Sequence, residues 1–207
     1  MIALPILSAD TKIILASGSA ARKAMLRSAE LDFDIIPADI DECALMDSLD
    51  PQKHHIAHIT EQLALAKAQH IASKYPEALV IGSDQTLEFE GQILSKSSTI
   101  EEGRDALRAL GGKTHRLYSS VSVVQGNNTV FVHTDYADLT MHDFDEGFLE
   151  AYTAKDPDAL TSCVGGYKIE GAGAWLFERI KGDYYTVMGM PLLPLLAFLR
   201  TNCKILP

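Results

Sequence analysis

The chain has 207 residues, 47% of them hydrophobic and 22% charged, and its formal net charge is −10. This composition is typical of a globular chain that is large enough to bury a core, and no apolar run reaches the roughly 18–20 residues that a membrane span requires. The negative charge argues against a nucleic-acid partner, because duplex binding needs Lys and Arg to replace counterions. A small phosphorylated ligand remains compatible with it where local cations or a divalent metal are present. Three cysteines at unrelated spacings, Cys43, Cys163 and Cys203, fit free thiols in a reducing cytoplasm.

Hydrophobic periodicity predicts strands that alternate with helices, and one antiparallel hairpin near the middle of the chain. The predicted strands cover residues 12–17, 32–42, 77–94 (with an irregular GSDQ stretch and a turn at Glu90-Gly91), 116–142 (a hairpin around GNN) and 174–180. A helix is predicted directly after 12–17, and further helices cover 51–74, 99–110, 145–154 and 191–200. This order indicates a mixed-sheet α/β protein. We predict a single domain over residues 1–207.

The stretch LASGSAARKAML is the first candidate site, because a Ser/Gly turn that leads into a helix presents free N–H groups to an anion. Ser17 and Ser19 add hydroxyl donors, and Arg22 and Lys23 add positive charge. The alternative is an ordinary helix cap with solvated basic residues on the first turn. Basic residues at a helix N-terminus oppose the helix dipole, which indicates some reason for their presence, but the pattern alone leaves both alternatives open.

Two acidic stretches are candidate metal or catalytic sites. ADIDE carries Asp39, Asp41 and Glu42 just after a strand, where hard oxygen ligands suit Mg²⁺ or Mn²⁺; the alternative is a solvated acidic turn. GSDQT places Asp84 after the buried run ALVI, where α/β sheets usually position ligands. Asp84 is therefore a candidate metal ligand or general base, and the alternative is an Asx turn.

Two lysines stand in unusual surroundings. Lys96 lies between small polar residues in ILSKSS, where a lysine is usually only solvated. Lys67 lies in the alanine-rich helical stretch LALAKAQ, so its side chain either extends along the helix to solvent or reaches into a polar site. The pattern leaves both alternatives open.

The order of these motifs along the chain resembles the Maf family of nucleotide pyrophosphatases. The resemblance rests on LASGSxxRKxxL, DIDE, AxxKA, GSDQ, ILxK and GxxKxEG, and FERIKGDYYTVMGMPL is similar to that family's closing segment; together they span residues 12–200. It implies a cytoplasmic, divalent-metal-dependent enzyme that cleaves a nucleoside triphosphate between the α- and β-phosphates. The implied fold is an elongated mixed sheet with flanking helices and two lobes around a cleft, related to house-cleaning inosine triphosphatases.

The resemblance also implies roles for individual residues. Asp84 matches the family's proton acceptor, and Glu42 matches an acidic residue that would bind the metal, Mg²⁺ or Mn²⁺, together with Asp84. The positions that match groups around the triphosphate are Ser17, Arg22, Lys67 and Lys96.

Three positions bear on the choice of base. Gln85 and Glu170 match the family branch that acts on 7-methyl-GTP, and Glu170 could accept both N1–H and N2–H₂ of guanine through its two carboxylate oxygens. Members of that branch carry a tryptophan before the matching arginine, which could stack on a cationic base. Here that position is Ala21, so the sequence favours 7-methyl-GTP and keeps dTTP, UTP or another non-standard nucleotide as the alternative.

A third hypothesis from a different class is a non-catalytic nucleotide-binding regulator of cell division, suggested by the family's link to septum formation. In every case the expected partner is a small nucleoside triphosphate, with no nucleic acid and no membrane, and a homodimer is compatible with the sequence. The role of Lys168, which either contacts substrate or supports the glycine-rich loop, also stays open.

Overall fold

The structure, a computed structural model, describes residues 11–49 and 55–203. Its strands are β1 (Ile13–Leu15), β2 (Asp34–Ile35), β3 (Leu79–Phe89), β4 (Gln92–Leu94), β5 (Thr114–Gln125), β6 (Asn128–Met141) and β7 (Phe177–Lys181). Its α-helices are α1 (Ala20–Ser28), α2 (Glu42–Ser48), α3 (Ile56–Ala72), α4 (Ile100–Leu110), α5 (Glu146–Lys155), α6 (Ala159–Ser162), α7 (Tyr184–Val187) and α8 (Leu192–Cys203). Short 3₁₀ turns cover Val164–Gly166 and Ala172–Leu176.

The strands form one mixed sheet of seven strands in the order β2-β1-β3-β5-β6-β7, with β4 paired to β3. β1 pairs in parallel with β2 and β3, whereas β3 with β4 and β6 with β7 are antiparallel. The predicted mixed-sheet α/β class with flanking helices is therefore confirmed. No helix within residues 11–49 and 55–203 is long and apolar enough to cross a membrane.

The chain divides into two compact units. The first unit comprises Met1–Gln85, Ser119–Asp135 and Gly189–Pro207, and the second comprises Thr86–Tyr118 and Tyr136–Met188. The predictions of a single domain over 1–207 and of two lobes around a cleft stay predictions.

The core of the first unit forms where α3 packs on the parallel strands. The buried apolar residues of this cluster are Ile14, Ala16, Ala68, Ile71, Ala72, Ala78, Val80 and Val124. Because β1 ends at Leu15 opposite Ile81, the polar residues that follow in both strands lie at one edge of the parallel pair. This is where open α/β sheets usually bind ligands.

The core of the second unit is larger and combines α4, α5 and the ends of the long strands. Its buried residues include Leu87, Leu107, Leu110, Leu117, Leu139, Leu149, Tyr152, Leu160, Tyr167 and Leu176. α4 begins with a capping box in which the Thr99 hydroxyl accepts from the Glu102 N–H and the Glu102 carboxylate accepts from the Thr99 N–H. The predicted helix over 99–110 and the predicted hairpin over 116–142 are confirmed.

Several features differ from the sequence-based prediction. GSDQ is not irregular: β3 continues without interruption from Leu79 to Phe89. The strand predicted over 32–42 is limited to β2 (Asp34–Ile35), and α2 begins at Glu42, where no helix was predicted. Residues 174–176, predicted as the start of a strand, belong to a 3₁₀ turn before β7 begins. The predicted helix over 51–74 begins at Ile56, and residues 51–54 lie outside the described part of the chain.

Candidate active site

The turn between β1 and α1 has the geometry that its Ser and Gly residues predict. Ser19 is the N-cap of α1, and its hydroxyl accepts a hydrogen bond from the Arg22 N–H at 3.4 Å. The Ser17 hydroxyl, which is buried, accepts from the Ser19 N–H at 3.3 Å. The first turn of α1 contains no acidic residue, so its N–H groups and dipole leave a positive potential at this end of the helix.

Arg22 joins three segments of the first unit. Its Nε donates to the Gly189 carbonyl at 2.8 Å, and its Nη1 donates to the Ser83 carbonyl at 2.9 Å and to the Ser17 hydroxyl at 3.3 Å. Burial lowers the pKa of Arg22, and the carboxylates of Asp84 and Glu42 act in the opposite direction. The guanidinium nevertheless stays charged, because an arginine pKa lies far above neutrality. Arg22 is thus a half-buried positive charge that is already bound to two carbonyl groups.

Gly189 is a site residue that the sequence analysis did not identify. Its carbonyl also accepts from the Ser83 hydroxyl at 3.1 Å. Its φ of +105° lies in the region that favours glycine, so a side chain here would strain the backbone. The sequence signal was the glycine of MGMP before α8, which the family resemblance covered only as part of a closing segment.

α3 lies against β3 because Gly82 has no side chain. A Cβ at Gly82 would lie 2.2 Å from the carbonyl oxygen of Ala64 and 2.7 Å from the backbone nitrogen of Ala68. The small residues of LALAKAQ therefore allow helix and strand backbones to touch. This contact brings Lys67, one turn along α3 from Ala64, next to the strand residues that follow Gly82.

Lys67 bridges the two predicted metal ligands. Its ammonium group contacts the Asp84 carboxylate directly and lies 2.8 Å from Oε1 of Glu42. The Lys67 and Asp84 side chains are only 11% and 9% exposed, whereas that of Glu42 is 50% exposed. Of the two alternatives for Lys67, the structure selects the polar site.

α2 explains why Glu42, rather than its acidic neighbours, reaches this site. The Asp41 carboxylate caps the helix by accepting from the Ala44 N–H at 2.9 Å. Asp39 precedes the helix and is exposed. Glu42 is the first residue of α2, and α2 packs on α3. The DIDE segment therefore contributes one carboxylate to the site and uses another as a helix cap.

The donor set at Glu42 and Asp84 fits a divalent cation. Within the described ranges, no three His, Cys, Asp or Glu residues form a metal-binding group. Mg²⁺ sites, however, commonly use one or two carboxylates and complete their coordination with water and substrate phosphates. The Lys67 ammonium already occupies the position of a cation between the two carboxylates. The arrangement therefore fits the metal that the resemblance implies.

Gln85 and Ala21, two of the predicted specificity positions, lie in the first unit. The Gln85 side-chain amide donates to the Ser119 hydroxyl at 3.1 Å. Its Oε1 lies 3.6 Å from the point that a Cβ on Gly189 would occupy, so Gln85 and Gly189 are neighbours. Ala21 is half-buried in the first turn of α1.

The glycine-rich loop that carries Glu170 lies in the second unit and is held by buried contacts. Gly165 and Gly166 have φ of +79° and +76°, and the Gly166 carbonyl accepts from the Tyr152 hydroxyl at 2.9 Å. Lys168 donates to the Asp156 carboxylate at 3.0 Å, which raises the pKa of Lys168. Lys168 therefore supports the loop through an ion pair within the second unit.

Glu170 and Lys96 are the remaining predicted site residues, and both lie in the second unit. Both are exposed, and neither forms a hydrogen bond or ion pair with any residue that the structure describes. The structure therefore gathers Ser17, Arg22, Lys67, Asp84 and Glu42 in the first unit, and it presents Glu170 on a supported loop of the second. The roles assigned to these residues by resemblance stay predictions.

Comparison with known proteins identifies the family. The family described as Maf-like protein matches residues 12–202, and the chain belongs to this family. A protein of Granulibacter bethesdensis named nucleoside triphosphate pyrophosphatase is 42% identical over 92% of this chain and 97% of its own length. Two proteins named 7-methyl-GTP pyrophosphatase are similarly close. That of Mesorhizobium japonicum is 44% identical over 92% of this chain and 96% of its own. That of Brucella abortus is 42% identical over 91% of this chain and 95% of its own length.

A solved structure of a HAM1 protein from Coxiella burnetii aligns with a TM-score of 0.42 and 16% identity, covering 63% of this chain and 73% of that protein.

Proposed function

We propose that the protein is a nucleoside triphosphate pyrophosphatase that hydrolyses the α–β phosphate bond, with 7-methyl-GTP as its preferred substrate. The observation that carries the proposal is the buried Asp84 carboxylate, held by Lys67 beside Glu42 at the end of the parallel strands. The charged Arg22 side chain and the N-terminus of α1 lie in the same unit. Support also comes from the names of the relatives, which are nucleoside triphosphate pyrophosphatase and 7-methyl-GTP pyrophosphatase.

Asp84 is the proposed proton acceptor. A water oxygen bonds to one phosphorus of the α–β bridge while Asp84 takes a proton from that water. The bridging P–O bond breaks, its electron pair stays on the leaving oxygen, and the products are a nucleoside monophosphate and pyrophosphate. Burial of Asp84 excludes competing water and keeps the carboxylate in one orientation.

Positive charge on the triphosphate side comes from Arg22, Lys67 and the free N–H groups of α1, with Ser17 as a hydroxyl donor. Lys96 is a further proposed phosphate ligand. Glu42 and Asp84 would hold Mg²⁺ or Mn²⁺, which when bound neutralises phosphate charge and makes a water more acidic.

Glu170 is the residue proposed to recognise the base of the nucleotide. The loop around it is fixed by the Lys168–Asp156 ion pair and by Tyr152, while the Glu170 carboxylate itself has no partner among residues 11–49 and 55–203. A carboxylate accepts two parallel donors, which matches N1–H and N2–H₂ of guanine. Methylation at N7 makes N1–H more acidic and so strengthens the match.

We also infer that the protein acts in the cytoplasm on a small-molecule nucleotide, without a nucleic-acid or membrane partner. The three free cysteines, Cys43, Cys163 and Cys203, support a reducing compartment. A homodimer stays a prediction.

The test is a panel of nucleoside triphosphates that includes 7-methyl-GTP, GTP, dTTP and UTP, incubated with Mg²⁺ or Mn²⁺. ³¹P NMR should identify pyrophosphate and monophosphate as products, with the highest kcat/KM for 7-methyl-GTP. Asp84→Asn should lower kcat by at least about a hundredfold while nucleotide binding is retained, and the exposed Asp32→Asn is the matched control. A preference for dTTP or UTP would overturn the substrate assignment. A wild-type protein that binds nucleotides but hydrolyses none would favour the regulator instead.

A further inference from the structure

Lys67 already places a positive charge between the two residues that would hold the metal. Its ammonium contacts Asp84 and lies 2.8 Å from Glu42, and the Lys67 side chain is 11% exposed. An ammonium group offers three N–H donors in a compact charge, so it can satisfy both carboxylates at once. A free metal ion must therefore displace Lys67 or share the carboxylates with it. Sharing is unfavourable, because like charges at contact distance repel strongly where water is scarce.

A triphosphate changes this competition because it offers Lys67 another anionic partner. The four-carbon stem of lysine is flexible, whereas its backbone is fixed here by the close contact of α3 with Gly82. The ammonium can therefore move while the helix stays in place. Arg22 is less able to make such a move, since its guanidinium is bound to the carbonyls of Gly189 and Ser83.

We propose that Lys67 is a stand-in cation that holds Glu42 and Asp84 in the free protein and passes to the phosphates when nucleotide binds, so that metal binding depends on nucleotide. The inference rests on the proposed function, because it requires a triphosphate in this site. By linkage, the metal and the nucleotide then raise each other's affinity by the same factor. Lys67 thereby acts as a positioning residue for the two carboxylates.

The first experiment measures Mn²⁺ binding to the nucleotide-free protein by electron paramagnetic resonance of the unbound ion. Lys67→Met should bind Mn²⁺ at least about tenfold more tightly than the wild type, because the competing ammonium is gone. Lys67→Met/Glu42→Gln should lose that gain. Lys168→Met is the matched control, since it removes a lysine paired with Asp156 in the second unit and should leave Mn²⁺ affinity unchanged.

The second experiment measures the affinity of a fluorescent α,β-methylene triphosphate, which cannot be cleaved at the bond in question, with and without saturating Mn²⁺. The ratio of the two dissociation constants should be at least about fivefold larger for the wild type than for Lys67→Met, as reciprocal coupling requires. Thermal unfolding checks that each variant is folded, and Lys67→Gln replaces Lys67→Met if the latter is not.

The inference is overturned if Lys67→Met binds Mn²⁺ no more tightly than the wild type, or if the two coupling ratios are equal. The Mn²⁺ titration contains no substrate, so its result does not depend on turnover. If the wild type hydrolyses nucleotides of the panel and Lys67→Met shows no gain in Mn²⁺ affinity, the inference about Lys67 is wrong and the proposed function stands. A wild type that hydrolyses no triphosphate would remove the proposed function, whatever the titration shows.

Discussion

His115 Nε2 lies 2.6 Å from the hydroxyl oxygen of Tyr167, inside the second unit and at the base of the glycine-rich loop. Both side chains are buried, and the ring of Phe177 packs against each of them. Burial lowers the pKa of His115 to about 4 and raises that of Tyr167 well above its ordinary value. The pair is therefore neutral near pH 7 and joins β5 to the segment that leads to Glu170.

Acid should destabilise the protein through His115. In the unfolded chain this histidine takes up a proton near its ordinary pKa of 6.5, whereas in the folded chain it does so only near 4. Stability should therefore fall as pH is lowered from about 6.5 to about 4, by about 3 kcal/mol from this group, because the unfolded state binds the extra proton. Urea unfolding at about pH 7 and about pH 4.5 measures the difference.

The control for this prediction is His115→Leu/Tyr167→Phe, which removes the titrating ring and the hydroxyl that would otherwise lose its partner. Carboxylates elsewhere titrate in both proteins, so the double variant should lose about 2 kcal/mol less than the wild type over the same interval. Equal pH dependence in the two proteins would show that His115 is not the source.

Gly82→Ala should be strongly destabilising. The new methyl group would lie 2.2 Å from the Ala64 carbonyl oxygen, and because this is helix backbone, α3 would have to move as a whole. We expect a loss of about 3 kcal/mol or more in the free energy of unfolding. Gly18→Ala is the matched control, since its Cβ would meet only Pro37 Cγ at 3.9 Å, and it should change stability by less than about 0.5 kcal/mol. Similar values for both variants would contradict the close contact of α3 with β3.

Arg22→Lys should destabilise the first unit although it keeps the charge. The planar guanidinium donates to the carbonyls of Gly189 and Ser83 through two different nitrogens, which an ammonium at the end of a flexible stem reproduces poorly. We expect a loss of about 1–3 kcal/mol in urea unfolding. The exposed Arg27→Lys on the same helix should be neutral. If Arg22→Lys is as stable as the wild type, the guanidinium does not hold these segments together.

The sequence predicted the features of this fold that depend on local patterns. Apolar periodicity and turn residues identified the β1–α1 turn, the capped α4 helix and the β5–β6 hairpin, all of which are stabilised by contacts close in the chain. α2 was not predicted, because none of its residues is buried and its sequence therefore carries no periodic apolar signal.

GSDQ was predicted to be irregular but is part of the regular strand β3. The physical reason is not contained in any local sequence pattern. Its polar side chains are satisfied by distant groups: Ser83 by the Gly189 carbonyl, Asp84 by Lys67 and Gln85 by Ser119. These partners lie 17 to 106 residues away along the chain. The motif resemblance named Asp84 and Lys67 as separate site residues, but their direct contact, and the role of Gly189, follow only from the folded chain.

Glu170→Gln should change which base is preferred without changing the fold. Glu170 is exposed and unpaired among the described residues, so its amide should leave urea unfolding unchanged within about 0.5 kcal/mol. A glutamine offers one acceptor and one donor, which suits N3–H and O4 of uracil and loses one of the two guanine donors. KM for 7-methyl-GTP should rise about tenfold or more, as expected for a lost hydrogen bond to a charged group. The kcat for 7-methyl-GTP should stay constant, and the KM for UTP should stay constant or fall. Glu178→Gln, exposed on β7, is the matched control. An equal loss on every nucleotide would mean that Glu170 does not contact the base.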